Sequence, residues 1–157
     1  MRTRYRFERC ARVARCVASS TIMRATALTD QMPELVLRNP DGTGAGTLRH
    51  VSATVVKLFG DRMRVANAEH QQLWIDALTS LNGDGFSYAG NVFVAIRITD
   101  GGIGEDIPFQ PNTQVELQGM FIPAAQATAG VNDPGLPVLH FTHSPVGFVV
   151  YEGKTYK

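Results

Sequence analysis

Short runs of alternating apolar and polar residues, each cut off by a turn signal, constrain this chain more than any other feature. Val92, Val94, Ile96 and Ile98 recur at every second position, with Phe93, Ala95 and Arg97 between them. Successive side chains of a strand point to opposite faces, so the pattern predicts a strand over Asn91–Thr99 with one buried face. Thr47–Phe59 reads the same way, with Val51, Ala53 and Val55 on one face and Gly60-Asp61 as its expected break. Thr113–Ile122 puts Val115, Leu117 and Phe121 inward and Gln114, Glu116 and Gln118 outward, while Gly119 in its middle predicts a bulge or a sharp bend. Val138–His143 and Phe148–Tyr151 are shorter strands, the first stopped by Ser144-Pro145. Asn82-Gly83-Asp84-Gly85 and Asp100-Gly101-Gly102 supply turns. Five or six short strands separated by turns predict an all-β fold, a closed antiparallel barrel or a sandwich. His70–Leu81 alone supports two periods. Leu73, Trp74, Ala77, Leu78 and Leu81 fall at helical spacing, whereas Leu73, Ile75 and Ala77 alternate. Periodicity by itself leans to a short helix.

The length, 157 residues, suits one domain. No apolar run approaches the ~20 residues that a membrane-spanning helix needs. The net charge of +1 hides an asymmetry. Residues 1–24 hold seven arginines against Glu8, a net +6, and the remainder holds eight bases against thirteen acids, a net −5. Uncompensated like charge predicts a disordered basic leader. Arg9, Arg12 and Arg15 interrupt its apolar stretch, which argues against a secretory signal and points toward the cytoplasm. Residues 1–45 therefore read as leader and lead-in loop, and 46–157 as the domain. Both cysteines, Cys10 and Cys16, lie in the leader, so the body has no thiol for a zinc site or a nucleophile. The alternating Gly42, Gly44 and Gly46 lack the spacing and the Lys-Ser/Thr of a phosphate loop.

A family resemblance enters with His70-Gln71, Ile107-Pro108, the run Leu139-His140-Phe141-Thr142-His143-Ser144-Pro145, and the ending Gly153-Lys154-Thr155-Tyr156. In this order they resemble a small uncharacterised bacterial domain-of-unknown-function family. Its hallmarks are a His-Gln pair, a His-Trp-Thr-His motif followed by Asp-Pro, and a Gly-Lys-x-Tyr ending. The resemblance covers about residues 46–157. It implies a small OB-like barrel and carries no established activity. Phe141 stands at the family's tryptophan and Ser144 at its aspartate, and the Pro123–Pro137 loop is longer than usual. The resemblance, together with the needs of a closed five-stranded barrel, favours a strand over His70–Leu78.

His140 and His143 are the sharpest chemical feature, because imidazole can bind a metal or act as a base near neutral pH. On a strand, residues three apart face opposite sides, so His140 pairs with Thr142 and Phe141 with His143. Chelation would need a third ligand from His70, Glu69, Asp133 or His50, and no metal or cofactor is assigned. A polar network with His70 near His140 or His143 is expected instead. The candidate ligand-binding residues are His70, Gln71, His140, Phe141, Thr142 and His143, bordered by the Pro123–Pro137 loop. The function expected is a non-catalytic module for a small-molecule, peptide or protein ligand. Two rivals are a metal-dependent hydrolase and a single-strand nucleic-acid binder. The latter would use Lys57, Arg62, Arg64, Phe93 and Arg97, against an acidic body that disfavours phosphate contact. Trp74 is expected in the core.

Overall fold

Burial follows the alternation closely: Val92, Val94 and Ile96 are 0% exposed and Ile98 is 1% exposed. The computed structural model describes residues 36–37, 46–65 and 67–157, all in strands, turns and loops with no helix. Among the described residues nine strands run in order: β1 (Val36–Leu37), β2 (Gly46–Val65), β3 (Ala68–Ser80), β4 (Ser87–Tyr88), β5 (Val92–Arg97), β6 (Gln114–Ile122), β7 (Val138–His140), β8 (Phe148–Tyr151) and β9 (Lys154–Tyr156). The basic leader of the sequence reading lies outside the described residues. The lead-in segment does contribute β1, which pairs with the start of β2.

The pairings return on themselves: β2 to β3, β3 to β5, β5 to β7, β7 to β6, and β6 back to β2. β2, 20 residues long, pairs with β1, β3 and β6. Its first part, Thr47–Thr54, lies against β6, and Val51–Val65 lies against β3. Three register shifts along the β2–β3 pair provide the bends that such a turn requires. One is a bulge on β3, where Ala77 takes a φ of 54° and Asp76 Oδ1 accepts the N–H of Ala77 and of Gly90. Another absorbs Gly60-Asp61, so the expected break there is an irregularity inside β2 rather than its end.

The sheet departs from a purely antiparallel one at a single place. β5 and β7 are parallel, Phe93 beside Val138 and Val94 beside Leu139. The chain between them crosses through β6 and the long loop, which brings β7 in running the same way as β5. His70–Leu81 is strand rather than helix as far as Ser80, because Leu73 and Ile75 face the core while β2 and β5 take the backbone hydrogen bonds on either side.

Inside the circuit sit Val51, Leu73, Ile75, Val94, Leu117 and Leu139, all 0% exposed. Full burial of each aliphatic side chain stabilises the fold by about 1.5–3 kcal/mol before entropy is counted. Gly119 keeps a regular register with Arg49, so it is not a bulge. It is needed for close approach: a Cβ there would come 2.5 Å from the His140 carbonyl oxygen. Tyr151, 2% exposed, joins the core to the loop before β6. Its hydroxyl accepts the Gln110 N–H at 3.0 Å and lies 3.1 Å from Thr113 Oγ1. Tyr151→Phe should cost about 1–2 kcal/mol in urea denaturation, because it leaves that amide without its partner.

Candidate functional site

Residues that alternate inward also alternate outward, and the outer face of β3, β5 and β7 carries the chemistry. His70, Gln72 and Trp74 project from β3, Phe93, Ala95 and Arg97 from β5, and Val138 and His140 from β7. This set lies opposite the core positions Leu73, Val94 and Leu139. The loop from 123 to 137 folds over this face. A tight turn, with Gly130 and Asp133 exchanging backbone hydrogen bonds, presents Asn132 at a φ of 65°. The Asn132 side-chain amide donates to Gln72 Oε1 at 2.9 Å, and the Asn132 backbone carbonyl accepts the Trp74 indole N–H at 2.9 Å. Asp133, 4% exposed, accepts the N–H groups of Gly135 and Leu136 and fixes the turn's exit.

Between loop and sheet lies a groove of about 670 Å3. Phe93, Ala95, Ile122 and Val138 give it apolar walls, while His70, His140, Gln72 and Asp133 supply polar groups. Arg64, at the end of β2, lines it from the rim and makes no ion pair among the described residues.

The histidines are set by their surroundings. His70 is 7% exposed, and its Nδ1–H donates to the Ala68 carbonyl at 3.2 Å. Burial lowers its pKa, its backbone hydrogen bonds to Ala68 and Met63 oppose that, and the charges of Arg97 and His143 lower it further. Burial drives His140 down to about 4, with repulsion from His70, His143 and Arg97 adding to it. His70 and Arg97 face each other across β3 and β5, and the ring of Phe141 stacks on His140 at 4.2 Å. His70 and His140 thus line one groove.

The other candidates lie elsewhere. Gln71 points to the opposite side of β3 from His70. Its side chain donates to the Ile107 carbonyl at 2.8 Å and accepts the Ile107 N–H at 3.0 Å, holding the loop before β6. β7 ends at His140, and Phe141 takes a left-handed φ of 55°, so the alternation expected through His143 stops there. Phe141 and His143 consequently lie outside the groove lining, and His143 Nδ1–H donates to the Ser144 carbonyl at 2.8 Å. Thr142 is 0% exposed, with its hydroxyl oxygen unpartnered.

Of the residues considered for nucleic acid, Phe93 is 7% exposed and forms groove wall. Arg62 is bound to Asp106 and Glu69, and Arg97 to Asp100. Lys57 rests 4.8 Å above the rings of both Phe59 and Trp74. Trp74 is outside the core because the β3 face it occupies is the outer one. His50 lies on the part of β2 paired with β6, its Nε2 2.8 Å from Glu116 Oε1. Among the described residues no group of three or more His, Cys, Asp or Glu is placed to hold a metal ion.

Sequence reasoning missed Gln72 and Asn132. The available signal was that Gln72 shares the face of His70, two residues away. No protein-family model, curated protein or solved structure matches this chain.

Proposed function

We propose that this protein is a non-catalytic binding module on an OB-like barrel, and that its ligand is a small molecule held in the groove over β3, β5 and β7. One observation carries the reading. The 123–137 loop is fastened to the sheet through Asn132 and yet leaves about 670 Å3 open between apolar walls and a few convergent polar groups. Small-molecule sites have this size and make-up, roughly 300–1,000 Å3 with mainly apolar lining.

The connectivity supports the barrel part. A five-strand circuit, with a groove bounded by the end of its first strand and the loop between its last two, resembles the layout OB-type barrels use for binding. The resemblance over residues 46–157 belongs to the same proposal.

A fragment screen read by amide chemical shifts tests it. Hits should move the amides of residues 93–97, 126–133 and 138–140 as one set. Hits that cluster on another face, or none at all, contradict the reading. Asn132→Gly supplies a second check. Glycine accepts the left-handed φ but removes the amide that reaches Gln72. The loop should loosen by about 1 kcal/mol, seen as faster amide exchange between residues 126 and 136, with weaker fragment binding.

A further inference from the structure

The walls and the end of the groove differ in character, and together they narrow the ligand. Phe93, Ile122 and Val138 offer only apolar contact. His70 and His140 stand at the end where β3 meets Arg97 of β5. Arg97 already carries Asp100, so its positive charge is largely answered. Asp133, the one carboxylate in the lining among the described residues, turns its Oδ1 to two backbone amides. Further charge at this end can come from protonating an imidazole, and that supplies a single positive charge. Arg64 at the rim adds attraction for an incoming anion.

Building on the groove reading above, we propose that the groove takes a small apolar carboxylic acid, its hydrocarbon against Phe93, Ile122 and Val138 and its carboxylate against His70 and His140. A monoanion matches one imidazolium, whereas a phosphate dianion would call for guanidinium forks or clustered backbone amides. The charged and titratable groups acting on the two imidazoles are Arg97 and His143, while Arg64 and Asp133 line the same groove. In the empty groove burial, with the positive charges of Arg97 and His143 adding to it, keeps both rings neutral. A bound carboxylate reverses the balance and draws a proton onto the pair, so binding is coupled to proton uptake.

The test uses phenylbutyrate and its neutral analogue phenylbutanol as probes on the full chain. Binding is followed by calorimetry and by the imidazole C2–H signals of the protein's four histidines. Phenylbutyrate should bind about fivefold more tightly at about pH 5.5 than at about pH 7.5, and phenylbutanol equally at both. The acid should raise the titration midpoints of His70 and His140. His140→Gln should abolish the pH dependence for the acid while keeping alcohol binding, and His70→Gln should do the same if the first variant folds poorly. If acid and alcohol bind alike with no pH dependence, the groove reading stands and the carboxylate inference falls. If neither probe binds, the inference falls together with the small-molecule reading.

Discussion

Between about pH 7 and about pH 4 the protein is expected to lose on the order of 2–3 kcal/mol of stability through His140 alone. An ordinary imidazole titrates near 6.5, and in the fold burial holds His140 down to about 4. Between those two values the unfolded chain takes up a proton that the folded chain refuses. Stability from this group is therefore complete above pH 6.5 and drains away as the pH falls toward 4. His70, also lowered by burial, acts in the same direction. Carboxylates contribute to acid unfolding as well, so the informative quantity is a difference. Urea denaturation of wild type and His140→Gln across this range should give curves that converge as the pH drops, because glutamine has no proton to refuse. Parallel curves would show that His140 is not buried on this face.

Gly147→Ala should destabilise the fold by about 3 kcal/mol. A Cβ at this position would run into the carbonyl oxygen of Gln118 on β6 and come 2.5 Å from that of Phe141. Both obstacles are backbone, so neither can swing aside as a side chain would. The N–H of Gly147 also closes the turn onto the His143 carbonyl at 2.8 Å. The segment that carries the chain from β7 to β8 must then lift from β6, weakening two pairings of that strand. Gly60→Ala is the matched control, since a Cβ there meets nothing within 4 Å. It should change stability by no more than about 0.5 kcal/mol. Equal midpoints for the two variants in chemical denaturation would refute the close approach.

The strands were legible because burial of one face leaves a period of two in the sequence, as Val92, Val94, Ile96 and Ile98 illustrate. The ends of strands were not. Phe141 adopts a left-handed φ although aromatic residues give no hint of it, and that one residue takes Phe141 and His143 out of the groove. Gly60-Asp61 looked like a stop, but a register shift can absorb two turn-forming residues without ending a strand. In the site, His70 and His140 could be named from residue type alone. Gln71 and Gln72 could not be told apart, because only the register decides which amide points to the loop before β6 and which to the groove. The seating of the long loop was invisible, since the contacts that fix it join Asn132 to residues 58 and 60 positions away.

Everything proposed for the groove requires that loop to sit on β3, and the protein's single tryptophan reports on it. The indole N–H of Trp74 gives one proton resonance, and here it donates to the Asn132 carbonyl at 2.9 Å. It should exchange slowly with solvent and show a nuclear Overhauser effect to Asn132 Hα. Rapid exchange with no cross-peak to residue 132 would mean that the loop stands away from the sheet and that the groove does not exist.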